Sequence, residues 1–466
     1  MTLFLVRIIA KSHQDLIELD KYHLDLNKRA ARQEDVDKFV VTGILTDEQI
    51  QKLKDDGYIL EVLSDLSKDS EERSKEVSRG NRFSQAKKMS DFREGSVGGY
   101  MNTDEVETAL INLQNAHPEL VTLIDLPYKT HEGHECKAVK IGKNNNNNIE
   151  NNPSILFTGS MHAREWGGSD ICINFLIALI DVYLNNSSLT FGNKVFSPEQ
   201  IKKIVENLNI FVFPNVNPDG KVYSQKNDDP ELPPGLRGRW WRKNRNPTLV
   251  PNGDDPRHKS GVDINRNFDF LWNSGIGTVN NDGSNMSETY RGESSFSEPE
   301  TKNVKYILDN YDIQYYVDIH SYGELILYSW GNDNNQNVDP SQNFLNQEYD
   351  DKRGIIDDDL YREHIKIEDE KILLSFANKI NDSLSMVRNR RYNVQQAVGL
   401  YPTSATSDDY VFSRHIFDPC KKKIYGFTIE FGPELYGFIP PFSEMQFIIK
   451  EVCAALTELC LAVVEK

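Results

Sequence analysis

Apolar positions in the first 65 residues follow short strand-like and helix-like patterns, which predict a small α+β unit. The predicted strands are Leu3–Ala10, Lys38–Leu45 and Tyr58–Leu63, with a first helix near Leu16–Leu26. A second helix is predicted after Thr46, because Thr46 and Gln49 have the spacing of a capping box, and Gly57 follows its end.

From about Gly98 onward, β-branched and aromatic runs alternate with amphipathic helices. This pattern predicts an α/β domain with a mixed, twisted β-sheet flanked by helices. The clearest predicted strands are Ser154–Thr158, Asn209–Phe213, Tyr315–Ile319, Leu325–Trp330 and Tyr425–Phe431. Apolar residues at helical spacing predict helices over 171–183 and over Glu444–Lys466.

Residues 66–97 separate these two parts and are polar and heavily charged, without apolar periodicity. Such a segment is typical of a linker or connecting helix that is open to trypsin-like proteases. The expected organisation is therefore a small domain at 1–65, a charged linker at 66–97 and a large domain at 98–466.

The net charge of −18 argues against a nucleic-acid partner, because binding to the phosphate backbone needs a clustered positive surface. No apolar run approaches the roughly 18 residues needed to cross a bilayer, so we expect no membrane span. No coiled coil or long apolar edge is visible, which favours a monomer.

Five scattered cysteines, an odd number, favour free thiols and a reducing compartment. The first ten residues contain an apolar stretch interrupted by Arg7, with no basic leader or cleavage site after it. We therefore expect no signal peptide and a cytoplasmic location, with secretion by another route or lysosomal delivery as alternatives.

The sharpest chemical feature is a histidine and a glutamate three residues apart, His162 and Glu165, where a predicted strand passes into a predicted helix. Imidazole nitrogen and carboxylate oxygen together suit Zn²⁺, and a catalytic zinc site takes three protein ligands. His320, at the end of another predicted strand, is a candidate third ligand, because active sites of open α/β sheets collect at strand carboxyl ends. Each feature alone is also compatible with a structural role.

An ordered series of motifs makes the chain resemble a known family. After the His-X-X-Glu pair come NPDG at 217–220, WRKNR at 241–245, DINRN at 263–267, SEPE at 297–300, HSY at 320–322, LY at 400–401 and TIEF at 428–431. The series resembles the funnelin metallocarboxypeptidases, the group that includes pancreatic carboxypeptidases A and B. The resemblance covers the chain from about Gly98, whereas the N-terminal part resembles the family's prodomain only in length and α/β pattern.

The resemblance implies a zinc carboxypeptidase that removes residues from the C-termini of peptides and proteins. The zinc ligands that it implies, for one ion per chain, are His162, Glu165 and His320. It implies that Glu430 is the general base for a zinc-activated water. Arg242 matches the arginine that stabilises the oxyanion, and Asp263 matches the carboxylate that orients the first histidine.

The resemblance also implies how a C-terminus is bound. Arg266 with Asn265 matches the clamp for the terminal carboxylate, for which a guanidinium is a natural bidentate partner. Tyr401 matches a mobile tyrosine that closes over the bound terminus. The residues that it places along subsites further up the peptide are Arg164, Ser321 and Tyr322.

Asp408 falls where B-type members carry the acidic residue at the base of the side-chain pocket, which implies a preference for C-terminal Lys or Arg. Broad specificity stays open, because some bacterial-type relatives with this acid are broad and residues 403–406 lack the glycine pair of the pancreatic loop. The N-terminal part is either an inhibitory prodomain, released by cutting among Arg73–Arg93, or a module that stays attached.

Two other functions remain as alternatives. One is an inactive relative that binds peptides, which the retained ligands and Glu430 oppose. The other is a zinc amidohydrolase or deacylase acting on small acyl-amino acids, which Tyr401 and the Asn265–Arg266 pair oppose.

Overall fold

The computed structural model describes residues 2–84, 98–142, 152–226, 238–247, 260–277, 288–356 and 359–466. Within these residues the chain forms two main sheets, one in residues 2–65, which we call the N-terminal unit, and one after residue 120. The last 13 residues of the predicted linker, 85–97, lie outside the described residues.

The N-terminal unit is an antiparallel sheet in the order β2-β4-β1-β5, with β3 also paired to β4. Its strands are β1 (Leu3–Ala10), β2 (Asp25–Leu26), β3 (Arg32–Asp35), β4 (Lys38–Thr46) and β5 (Ile59–Asp65). Its helices are α1 (His13–Ile17) and α2 (Asp47–Asp55). The predicted capping box is confirmed, because Gln49 N donates to Thr46 Oγ1 and Thr46 N donates to Gln49 Oε1.

The predicted helix near Leu16–Leu26 is wrong in its second half. After α1 a 3-10 helix runs over Glu18–Tyr22, and the chain then turns at His23, whose φ of 51° is left-handed. Leu16 and Leu19 are both buried, so two short helical turns are enough to satisfy the apolar spacing. The chain then extends as β2 and pairs with β4, which directs the following residues towards the large domain.

The large sheet has the strand order β16-β13-β17-β12-β8-β11-β7-β6. Its strands are β6 (Val121–Asp125), β7 (Lys137–Ile141), β8 (Ser154–Gly159), β11 (Asn209–Phe213), β12 (Tyr315–Ser321), β13 (Leu325–Tyr328), β16 (Asn393–Gln396) and β17 (Tyr425–Phe431). Two short pairs lie outside it: β9 (Leu189–Phe191) with β10 (Lys194–Phe196), and β14 (Asn335–Gln336) with β15 (Glu363–His364). All five strands predicted for this domain are present.

Helices flank this sheet, which confirms the predicted fold class. They are α4 (Thr103–Ala116), α5 (Gly167–Leu184), α6 (Pro198–Asn207), α7 (Pro218–Lys226), α8 (Pro299–Asn310), α9 (Ile367–Arg388), α10 (Ser407–Phe417) and α11 (Phe442–Val464), whereas α3 (Leu66–Lys75) packs on β1 and β5 of the N-terminal unit. α5 and α9 both pack on α11, and α10 packs on β12 and β17. α5 is long and apolar enough to span a membrane by length and composition, but 72% of it is buried inside the protein, as in a core helix.

The direction of the central strands positions the candidate site. β17, β12, β8 and β11 are neighbours and run parallel to one another. Their carboxyl ends therefore lie at one edge of the sheet, which is where open α/β sheets bind ligands.

Candidate active site

The predicted zinc ligands come together from two neighbouring segments at this edge. His162 and Glu165 lie in the turn between β8 and α5, and His320 lies near the end of β12. His320 Nδ1 lies 2.9 Å from Glu165 Oε2 and 3.1 Å from His162 Nδ1, and His162 Nδ1 lies 2.8 Å from Glu165 Oε1. All three side chains are buried.

A separate carboxylate holds the other ring nitrogen of each histidine. His162 Nε2 lies 3.2 Å from Asp263 Oδ1, and His320 Nε2 lies 2.7 Å from Asp318 Oδ2. A carboxylate only accepts hydrogen bonds, so with a metal ion on the two Nδ1 atoms each Nε2 would carry the proton and donate to its carboxylate. Two imidazole nitrogens and a carboxylate converge in this way, which is a donor set that fits Zn²⁺.

Glu430 lies beside the cluster on β17. The parallel pairing of β12 and β17 sets His320 opposite Glu430 in the register. The Glu430 side chain is buried, and burial raises the pKa of its carboxyl to about 7. The charge of His320 lowers this pKa, and the charge of Glu165 raises it. A carboxyl group in this position can exchange a proton near neutral pH.

Asp263 joins the cluster to Asn265, which is predicted to bind substrate, and to Arg242, which is predicted to act in catalysis. It caps the 3-10 helix Ile264–Arg266, where its Oδ1 accepts from Asn265 N at 3.1 Å. Its Oδ2 accepts from Arg242 Nε at 3.0 Å, which holds the predicted oxyanion-stabilising guanidinium near the histidines.

Arg266 presents a buried guanidinium next to this network. Its Nη1 donates to the backbone oxygen of Asn265 at 2.6 Å, whereas its Nε is buried without a hydrogen-bond partner. Burial lowers the pKa of Arg266 to about 10, so the group is still charged at neutral pH. A buried cationic donor with an unused hydrogen favours an anionic ligand such as a carboxylate.

Ser321 is the last residue of β12, and Tyr322 follows it directly. Ser321 N donates to Glu165 Oε2 at 3.2 Å, so this residue also helps to hold a ligand carboxylate. The Tyr322 ring packs edge-on against Phe438, with 4.7 Å between the ring centroids.

The N-terminal unit covers Arg164 and Tyr322. Arg164 forms two hydrogen bonds with the Asp25 carboxylate, of which that from Nη2 to Oδ1 measures 2.9 Å. Asn27 Nδ2 donates to the backbone oxygen of Tyr322 at 2.8 Å. The residues predicted to line the more distant subsites therefore contact the chain's own amino-terminal part.

Tyr401 is held on the N-terminal unit rather than over the cluster. Its hydroxyl donates to the backbone oxygen of Leu16 at 2.7 Å, and Lys28 Nζ lies 4.9 Å from its ring centroid. The side chain is part of the apolar core of the N-terminal unit. The residue predicted to close over a bound terminus is therefore engaged by this unit.

Asp408 lies at the start of α10 and is fully buried. Its Oδ2 accepts from Thr428 Oγ1 at 2.9 Å, and its Oδ1 lies 3.4 Å from Arg29 Nη2. Burial raises the pKa of Asp408, but Arg29 and the hydrogen bonds outweigh it and hold the pKa below its usual range. Burial and the charge of Asp408 raise the pKa of the neighbouring Asp409, so Asp408 carries the negative charge of the pair.

A second group of potential metal donors, His131, Glu298 and Glu300, lies elsewhere in the described part of the chain. Here Asn244 Nδ2 donates to Glu298 Oε2 at 2.7 Å and to Glu300 Oε2 at 3.0 Å. Burial, together with Glu298, raises the pKa of Glu300 to about 8. An amide donor thus already bridges the two carboxyl groups, and we interpret the cluster as structural.

Sequence reasoning missed Asp318, Asp25 and Arg29. Asp318 has a usable signal, because it precedes His320 by two residues in a strand and so points to the same face. Asp25 and Arg29 have none, because 379 residues separate Arg29 from Asp408 and no local pattern links them.

The sequence matches a profile of the zinc carboxypeptidase family over residues 106–455. Two curated relatives are carboxypeptidase B of Helicoverpa zea, 32% identical over 254 residues, and carboxypeptidase B of Astacus astacus, 31% identical over 234 residues. These stretches cover 53% and 50% of this chain, and 51% and 64% of the two relatives. The chain thus spans about half the length of the first relative.

Among solved structures, carboxypeptidase A from Helicoverpa armigera has a similar fold, with a TM-score of 0.70 and 20% sequence identity. The likeness covers 99% of this chain and 98% of that chain, so it includes the N-terminal unit.

Proposed function

Since this chain belongs to the zinc carboxypeptidase family, we propose that it hydrolyses the C-terminal peptide bond of peptides and proteins. The observation that carries this proposal is the buried Arg266 guanidinium, with its unused Nε hydrogen, beside the cluster of His162, Glu165 and His320. A carboxylate bound there would anchor a free C-terminus, which distinguishes an exopeptidase from an enzyme that cuts within a chain.

In this proposal His162, Glu165 and His320 would hold Zn²⁺, which would supply Lewis-acid activation of a water and of the scissile carbonyl. The Glu430 carboxylate takes a proton from that water and later gives it to the leaving amine. Arg242, held by Asp263, stabilises the negative charge that develops on the carbonyl oxygen.

We further propose a preference for C-terminal lysine or arginine. Asp408 carries a negative charge in a site without exposure to solvent, and such a charge needs a cationic partner. The guanidinium of Arg29, from the same chain, lies next to Asp408. This contact supports the proposal that a basic side chain fits at Asp408.

The two alternatives have less support. A pure peptide-binding protein has no need for a buried base such as Glu430 next to three converging metal donors. A deacylase for small acyl-amino acids has no evident need for a buried carboxylate such as Asp408 that would recognise a basic side chain.

The test uses two blocked dipeptides, one ending in arginine and one in phenylalanine, with zinc and with a chelator, before and after limited trypsin. We expect chelator-sensitive cleavage that favours arginine. Glu430→Gln should lower the rate about 10²–10⁴-fold while the zinc content is unchanged. Equal cleavage of both substrates would refute the basic preference, and full activity of Glu430→Gln would refute the mechanism.

A further inference from the structure

We propose that Arg29 acts as an internal mimic of the substrate's basic C-terminal side chain, and that a basic ligand must displace it from Asp408. This inference rests on the proposed basic preference. It concerns the segment Asp25–Ala30, which we call the cleft segment, and the Asp408 site, defined as Asp408 and Thr428.

The contacts of Arg29 are those expected of a basic substrate side chain. Its Nη2 lies 3.4 Å from Asp408 Oδ1, and its Nη1 lies 3.3 Å from Thr428 Oγ1. The Arg29 side chain is 8% exposed and that of Asp408 is 0% exposed, so both charges are removed from water. Charges buried to this extent are stable only when they are paired with an opposite charge, because an isolated buried charge is strongly destabilising.

The hydrogen bonds of Arg29 at the Asp408 site are longer than those of a well-formed ion pair. Charge-assisted bonds between a guanidinium and a carboxylate are usually about 2.7–2.9 Å long, so 3.4 Å is a loose contact. Arg29 Nε is moreover buried without a hydrogen-bond partner. A free basic ligand that fills the site with better geometry can therefore compete with Arg29.

The rest of the cleft segment reinforces this placement. Asp25 pairs with Arg164, and Asn27 donates to the backbone oxygen of Tyr322. The segment then coils into the 3-10 helix Lys28–Ala30, which presents Arg29 to the Asp408 site.

The mimicry is limited to the side chain. A substrate ends at its basic residue, whereas Arg29 continues into Ala30 and then into β3. The cleft segment thus has no terminal carboxylate to offer at Arg29, and Arg266 Nε is without a partner. The segment occupies the specificity site without presenting a cleavable C-terminus.

Several contacts besides Arg29 hold the N-terminal unit in place. Arg7 Nη2 and Arg32 Nη2 lie 2.9 and 3.1 Å from Glu434 Oε2. The Tyr401 hydroxyl donates a hydrogen bond to the backbone oxygen of Leu16. Replacing Arg29 alone should therefore empty the Asp408 site while the unit stays docked. A small ligand then tests the proposal better than a peptide substrate does.

The experiment is calorimetric titration of the zinc-loaded full chain with L-arginine, and with L-citrulline as a neutral ligand of similar shape. Arg29→Met keeps side-chain length without charge, and Arg29→Lys keeps the charge. We expect L-arginine to bind Arg29→Met at least tenfold more tightly than the wild type, with Arg29→Lys close to the wild type. L-Citrulline should gain no affinity.

Equal L-arginine affinity in the wild type and Arg29→Met would overturn the proposal, as would an equal gain for L-citrulline. Hydrogen exchange of the wild type supplies a second readout that needs no variant. L-Arginine, and not L-citrulline, should speed amide exchange in the cleft segment, and unchanged exchange would count against displacement.

The outcomes separate this proposal from the function on which it rests. If trypsin-treated enzyme prefers the arginine substrate but Arg29→Met leaves L-arginine affinity unchanged, the mimicry is wrong and the function stands. If the treated enzyme prefers phenylalanine, the basic preference fails and the mimicry fails with it.

Discussion

Replacing Asp318 with asparagine tests whether zinc binding by His320 depends on the carboxylate that contacts its Nε2 atom. Asp318 Oδ2 lies 2.7 Å from His320 Nε2 and accepts from Ser407 Oγ at 2.8 Å, while Oδ1 accepts from Thr158 Oγ1 at 2.8 Å. The side chain is fully buried. The substitution conserves shape and removes only the charge and one acceptor position.

The expected loss follows from these contacts. If the amide nitrogen faces Thr158, the amide oxygen still accepts from His320 Nε2, but as a neutral partner. If it faces His320, the ring must carry its proton on Nδ1 and loses the lone pair that points into the cluster. Removal of such an orienting partner typically weakens metal affinity about 10–100-fold, or about 1.4–2.7 kcal/mol. We expect Asp318→Asn to fall in this range.

The assay is competition for zinc between the full chain and a chelator of known affinity, with the melting temperature as a check on folding. Ser407→Ala is the matched control, since it removes one donor to Asp318 but leaves the carboxylate in place. Its zinc affinity should change less than about threefold. Unchanged zinc affinity in Asp318→Asn, or an equal loss in Ser407→Ala, would refute the reasoning.

Four further predictions follow from single residues. His320→Ala should remove bound zinc after dialysis, measured by elemental analysis, and one zinc per chain in this variant would contradict the ligand assignment. Phe157→Ala should cost about 3–5 kcal/mol of unfolding free energy in urea, since the ring is buried in the core, and a loss below about 1 kcal/mol would contradict that packing. Thr46→Ala should cost about 1 kcal/mol through loss of the capping box, seen as a lower melting temperature, while an unchanged value would contradict it. The hydrogen bond to Asp219 raises the pKa of His134, so this pair stabilises the fold fully below the unfolded-state pKa of about 6.5 and loses its effect as the pH rises through the folded-state pKa. His134→Gln should therefore lower the melting temperature more at pH 6 than at pH 8.5, and equal losses would contradict the linkage.

The central strands are predictable from sequence because they are buried on both faces and so read as continuous apolar or β-branched runs. Asn209–Phe213 and Tyr425–Phe431 agree with the structure to the residue. His320 and Glu430 also stand out against such runs, since the ligand His320 ends one and the proposed base Glu430 interrupts another.

The path of residues 16–26 is not predictable from local spacing. A helix and two short helical turns bury Leu16 and Leu19 equally well, and tertiary pairing of β2 with β4 decides between them. The same limit hides the role of Arg29, because its partner Asp408 becomes a neighbour only when the two sheets meet.

His320 and Glu430 owe their separation to the backbone and not to any side chain between them. Adjacent strands lie about 4.7–4.9 Å apart, and hydrogen bonds between β12 and β17 set which residues face each other. A slip of one residue would turn Glu430 to the opposite face. Substitutions in the Asp408 site or the cleft segment therefore leave the spacing of His320 and Glu430 unchanged, for as long as β12 and β17 keep this register.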